Sequence, residues 1–286
     1  MIPSLRTLPL ALPPVGNETI GSYLNRLADA NHLTIRQLSH LIGPGRYHRR
    51  DENHTGYWTP QALDNLAALT GRDSRTLINA IPALGDVHRP GPHLAGGVLA
   101  QVTQDPIRPA CRLCMSGRGI PGLVVCTIAH HEAVCQRHRR WLHGDDQHDL
   151  QHLPEVLQAN LRHRRIVRRR NKTTYPPLVV MGFLNARNHM HQQFTTADRP
   201  GLHHRWTDRL AQLGDDPYGD PHRPTADRIH IATYPETIAL LGLVDADQAA
   251  DPDTFTARAD RLLNRADRHR SSGQTVSRPG SSQTSE

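Results

Sequence analysis

The sequence predicts a mainly α-helical chain with helix-turn-helix-like N-terminal pairs, a small zinc ribbon and a C-terminal helical region. Three observations carry this. Apolar residues recur at i, i+3, i+4 and i+7 in several separate stretches. Gly and Pro, 21 and 22 of 286 residues, break the chain into short elements. All four cysteines fall between 108 and 143. The expected layout is a helical region over 1–107, a zinc-ribbon segment over 108–143, a helical region with a basic helix over 144–270, and a disordered tail over 271–286.

Residues 1–16 read as extended and Pro-rich. Ile20, Tyr23, Leu24, Leu27 and Ala28 then form one apolar helix face. Asn31-His32-Leu33 turns the chain. Thr34 and Gln37 make a capping-box pattern, opening a helix with Ile35, Leu38, Leu41 and Ile42 on its apolar side. Gly43 stops it. A second pair follows: Thr59 as N-cap, Pro60 as first helical residue, and Leu63, Leu66, Ala67 and Thr70 as the face. Gly71 ends that helix. Asp73 or Ser74 caps the next, with Leu77, Ala80 and Ile81, and Pro82 closes it. Residues 82–107 read as loop. Gly122–Ala129 is the one convincing strand. Further helices are expected over 154–172, 178–194, 203–213, 226–243 and 253–269.

Charge narrows the function classes. Lys+Arg is 34 and Asp+Glu 27, a net +7 with neutral His, and Lys172 is the only lysine. An Arg, His and Ala surplus with almost no Lys is what a GC-rich genome produces, so a single Arg or His carries little weight. Position carries more. Arg162, Arg164, Arg165, Arg168, Arg169, Arg170 and Lys172 stand together without an acid and equal the whole net charge. Such a stripe points to an anionic partner, here the phosphates of double-stranded DNA; the competing reading is a solvated helix face. Three Trp, six Tyr and three Phe argue against a large aromatic pocket. No apolar run approaches the roughly 18 residues of a membrane span, and Pro13 and Pro14 interrupt the only N-terminal apolar run. The chain therefore reads as soluble and cytoplasmic.

The cysteines carry the strongest motif. Cys111-x-x-Cys114 is followed, 20 residues on, by Cys135-x-x-His138. Two thiolates three positions apart can share one tetrahedral ion, and the second pair repeats the spacing with an imidazole. Three Cys and one His form a closed structural set, so one structural Zn2+ per chain is expected. A disulfide suits a cytoplasmic chain poorly. Cys126, on the expected strand, reads as a core residue. His130 and His131 lack the spacing to a Cys partner.

No catalytic residues are expected. His131-Glu132-Ala133-Val134-Cys135 begins like a zinc-protease H-E-x-x-H but ends in Cys. Pro109-Ala110-Cys111-Arg112-Leu113-Cys114 approaches a deaminase P-C-x-x-C, yet residues 80–108 contain no Glu to shuttle the proton. Phosphate-binding and nucleophile-elbow glycine motifs are absent.

Four stretches together resemble the TniQ family. Residues 6–28 run through Leu8-Pro9, Gly16-Asn17-Glu18 and Ser22-Tyr23-Leu24-Asn25-Arg26-Leu27-Ala28. Leu66-Ala67-Ala68-Leu69-Thr70-Gly71 resembles the family's L-A-x-x-T-G helix end. Cys111-Arg112-Leu113-Cys114-Met115 and Val134-Cys135-Gln136-Arg137-His138 complete the set, which spans about half the chain. Two departures stand out: Leu123-Val124-Val125-Cys126 replaces a Trp-rich strand, and Gly144-Asp145-Asp146-Gln147-His148 lacks a second C-x-x-C. The C-terminal half is more similar to actinobacterial variants. The resemblance implies a non-catalytic accessory protein that selects DNA targets for transposition, with a transposition ATPase and transposase, or a guide-RNA effector, among its partners. A homodimer stays open. The alternatives are a stand-alone DNA-binding regulator and a protein-interaction adaptor on the same scaffold.

Within the first helical pair, Arg36, Gln37, Ser39 and His40 fall on the solvent side of the second helix. Arg36 and Gln37 are candidate DNA contacts; the competing reading is a helical hairpin that only packs the domain.

Overall fold

The computed structural model describes residues 5–43, 58–85, 107–142, 146–169, 200–214 and 224–246, together with 257, 258 and 261. Among these the chain is mainly helical, with eight α-helices and only two-stranded sheets. It divides into two compact units, 1–150 and 151–286. The helix expected over 178–194, most of that over 253–269, and the tail 271–286 lie outside the described residues.

Local sequence sets the ends of the first helices. In α1 (Ile20–Ala30) the Thr19 side chain accepts from the Ser22 amide. In α2 (Ile35–Ile42) Thr34 and Gln37 form the expected reciprocal capping box, and Gly43 ends the helix at φ 93°. In α3 (Pro60–Thr70) Thr59 caps Ala62, Pro60 opens the helix and Gly71 adopts the left-handed conformation. In α4 (Ser74–Ala80) the cap is Asp73 rather than Ser74, with its carboxylate accepting from the Thr76 amide and hydroxyl. The sequence left that choice open because both residue types cap helices equally well.

Packing joins these four helices into one core. Tyr23, Leu24, Leu27, Leu38, Ile42, Trp58, Leu66, Leu69, Leu77 and Leu84 are buried together, each aliphatic side chain contributing about 1.5–3 kcal/mol. The Asn65 side chain donates to the Ile42 carbonyl at 2.8 Å, closing the C-terminus of α2 against α3. Leu41, expected on the apolar face, is instead 40% exposed. In a two-turn helix the buried stripe is narrow, and Leu38 and Ile42 fill it. The Pro-rich segment before α1 forms neither helix nor strand over residues 5–15, bends at 9–10, and is tied down: the Leu8 amide donates to Leu69, and Tyr23 Oη to the Leu12 carbonyl.

The expected long strand is short. β1 (Ile107–Pro109) pairs antiparallel with β2 (Val125–Thr127), and β3 (Val134–Cys135) pairs with β4 (Arg140–Trp141). Residues 17–19 occupy the other edge of β2: Thr127 donates to Asn17, Thr19 to Val125, and the Val125 amide to Ser22 Oγ. The sequence of 122–129 marked a strand but not its partners. Those partners are a distant three-residue strand and the entry to α1, which pair with only its centre.

The second unit contains α6 (Pro154–Arg169), α7 (Pro200–Gln212) and α8 (Ala226–Ala246). The buried face of α6 is Val156, Ala159, Asn160, His163, Ile166 and Val167. Leu161, apolar like that face, is 44% exposed. Asn160 Nδ2 donates to Tyr234 Oη at 3.1 Å, and His163 Nδ1 meets the same oxygen at 2.7 Å. The sequence could not show this buried polar seam, because its members lie more than 70 residues apart. Arg209 sits in a second seam, bidentate to Glu236 at 2.7 and 3.0 Å and joined to Glu155 at 3.1 Å. Burial opposes the Arg209 charge, but Glu236 and then Glu155 outweigh it and hold the guanidinium protonated. No described helix is long and apolar enough to cross a membrane.

Candidate metal centre

Two short hairpin-like segments bring the predicted ligands together. Cys111 precedes the one-turn helix α5 (Arg112–Ser116), which carries Cys114. The Met115 amide donates to the Cys111 carbonyl at 3.0 Å, so the C-x-x-C closes into a tight knuckle. Cys135 ends β3, and His138 lies in the turn to β4, where Arg139 takes φ 51°.

The four donor atoms lie within 4.8 Å of one another. His138 Nδ1 stands 3.5 Å from Cys111 Sγ, 3.2 Å from Cys114 Sγ and 3.7 Å from Cys135 Sγ. Cys114 and Cys135 sulfurs are 3.6 Å apart. A tetrahedral zinc with ordinary Zn–S and Zn–N bonds needs S–S edges of about 3.8 Å and S–N edges of about 3.6 Å. The donor set therefore fits a four-coordinate divalent ion, with every corner supplied by the chain.

Without an ion, the same crowding keeps the thiols protonated. Burial, then the neighbouring Cys135 sulfur, pushes the Cys114 thiol up to about 12. Burial likewise raises Cys111. Crowded sulfurs resist becoming thiolates together, and a cation at their centre reverses that balance.

Gln147 braces the knuckle from outside, a role no motif in the sequence marked. It is 4% exposed. Its Nε2 donates to the Ala110 carbonyl at 2.8 Å and its Oε1 accepts from the Arg112 amide at 2.9 Å. Hydrogen bonds from Trp141 to His148 and from Leu150 to Arg139, with the Arg140–Asp149 ion pair at 3.1 Å, hold the segment carrying Gln147 along β4.

Cys126 is not one of the four donors; it is buried with Val15, Ala110, Met115 and Val124 in the apolar cluster that also holds Cys111, as expected of a core residue. Burial pushes its thiol up to about 12. His130 and His131 are not in the group of four donors.

The candidate DNA contacts fall in both units. Arg36 and Gln37 are exposed on α2. Gln37 Oε1, however, accepts from the Thr34 amide and hydroxyl at 2.8 and 2.9 Å, so its carboxamide is engaged in the cap. On α6, Arg162, Arg165, Arg168 and Arg169 are exposed and Arg164 is half-buried. Arg170 and Lys172 lie outside the described residues.

No curated protein and no solved structure matches the chain. The TniQ family model matches residues 9–142, a span that holds α1 to α4, both small sheets and all four donor residues. Over residues 9–142, therefore, the chain carries the domain of the TniQ family, a family of transposition-associated accessory proteins.

Proposed function

We propose that this chain is a DNA-binding accessory protein that selects targets for transposition and performs no catalysis itself. The observation that carries the reading is the TniQ domain with its complete Cys3His donor set. The ion we assign is one structural Zn2+, held by Cys111, Cys114, Cys135 and His138. A closed set leaves no position for a substrate water, so its work is to fasten the knuckle to the β3–β4 turn. DNA is held by Arg36 on α2 and by the basic stripe of Arg162, Arg164, Arg165, Arg168, Arg169, Arg170 and Lys172. Gln37 shapes the helix start beside Arg36. Stripe contacts to phosphate position a protein without reading sequence. The other partners are the transposition ATPase and transposase, and the setting is the cytoplasm.

The test is duplex binding by the purified full chain across a salt series, alongside transposition reconstituted with and without it. The expected results are affinity that falls steeply with salt and insertions that lose their site preference when the chain is omitted. Failure to bind duplex at low salt would overturn the DNA reading and favour a protein-interaction adaptor.

A further inference from the structure

The basic stripe of α6 divides when it winds into a helix. At roughly 100° per residue, Arg162, Arg165 and Arg169 fall within about 60° of one another, while Arg164 and Arg168 lie on the other side of the buried face. The first three line a half-open cavity of about 320 Å³ with Ile166 as its apolar wall and Gly242 of α8 opposite. All three arginines are exposed at its mouth. Among the described residues no carboxylate pairs with any of them, whereas Arg209 pairs with two and Arg140 with one.

Gly242 makes the room. A Cβ at that position would stand 2.6 Å from Arg162 Nη2 and 3.3 Å from its Cζ. The bare backbone thus lets one guanidinium lie against α8 and face into the cavity. Three converging guanidinium groups repel one another, and an oxyanion among them turns that repulsion into attraction. Guanidinium forks match phosphate oxygens in geometry. The open mouth suits a phosphate that belongs to a continuous strand.

We infer that this cavity seats a single backbone phosphate of duplex DNA, held by Arg162, Arg165 and Arg169, with Arg164 and Arg168 outside the seat. The inference rests on the DNA-binding reading above and adds to it one defined phosphate position. It makes Gly242, which the sequence did not mark, a positioning residue for Arg162.

The test uses the full-length protein and a fluorescent duplex of arbitrary sequence, with two variants of equal charge. R162Q/R169Q is expected to bind about tenfold more weakly and to flatten the slope of log K against log salt by about one unit, the loss of one phosphate contact. R164Q/R168Q removes stripe contacts that lie outside the seat and is expected to weaken binding by only about threefold, because those charges act through a screened field rather than on one shared phosphate. Gly242→Ala meets only the far end of a flexible side chain, so it should weaken binding with no fall in Tm. Equal losses in the two double variants would overturn the seat and leave the DNA reading standing. Absence of duplex binding by the unmodified protein would overturn that reading. Pyrophosphate binding that R162Q/R169Q abolishes, without duplex binding, would overturn DNA as the occupant.

Discussion

Glu18 and Arg26 form a bidentate ion pair inside the first unit. Arg26 Nε meets Glu18 Oε1 at 2.8 Å and Nη2 meets Oε2 at 2.7 Å, with the two side chains 9% and 0% exposed for Arg26 and Glu18 respectively. Glu18 also accepts from the Val15 amide and from Ser22 Oγ, both at 2.9 Å. Ser22 Oγ in turn accepts from the Val125 amide. One buried carboxylate therefore joins the extended N-terminal segment, α1 and the strand leading to the metal centre. The two residues belong to the stretch on which the family resemblance rests, and their spacing alone gave no sign that they touch.

Breaking that pair from one side should be costly. Arg26→Met leaves Glu18 charged and buried, and removing one partner of such a pair costs about 3–5 kcal/mol. Urea unfolding should report that loss. The double variant E18Q/R26M should recover a large part of it, because the uncompensated charge is gone. A single variant as stable as wild type would count against the pair as a structural link.

Zinc uptake by the metal-free protein should release protons near neutral pH, since ligation needs thiolates. Cys114 is raised to about 12 and Cys111 is raised as well, so both are protonated at pH 7 without metal. Affinity should therefore rise with pH. Metal analysis should give about one zinc per chain, and Cys135→Ser should abolish it. Hydrogen exchange should then quicken in residues 107–142 while α1 to α4 keep most of their protection. Well-folded protein without metal would refute the assignment.

Tyr23 should impose an alkaline limit on stability. Burial lifts its hydroxyl from 10 to about 12. A raised folded-state value means that the unfolded chain ionises first. Its contribution is therefore intact below pH 10 and is lost as pH climbs toward 12. Tyr23→Phe should lower stability by about 1 kcal/mol at pH 7, through the lost bond to Leu12, and should flatten the alkaline limb. Denaturation followed at pH 7 through 11 separates the two effects. A limb unchanged in the variant would assign the alkaline loss to another group.

Arg36 and Gln37 should part company under mutation. Gln37→Ala removes half of the capping box and should cost about 0.5–1 kcal/mol, read as a lower Tm. Arg36 is exposed, so Arg36→Ala should leave Tm within a degree or two while weakening duplex binding. If Arg36→Ala binds as wild type does, α2 serves only to pack the domain.

The sequence by itself determined the elements whose causes are local. Caps at Thr34 and Thr59, the stops at Gly43 and Gly71, and the apolar faces of α1 and α3 each depend on neighbours within four residues. The Cys3His set was legible for the same reason, because each half is a tight turn and tetrahedral chemistry demands that the halves meet. Tertiary structure decided what depends on distant partners. It shortened the strand at 122–129 to three residues, because only those three find backbone partners in β1 and the entry to α1. It exposed Leu41 and Leu161, because a helix buries only the arc that its neighbours cover. It recruited Gln147 to the knuckle and Glu18 to Arg26 through contacts that no periodicity encodes. It also singled out Arg162, Arg165 and Arg169 from the stripe, since theirs is the flank of the buried face that meets Gly242 of α8.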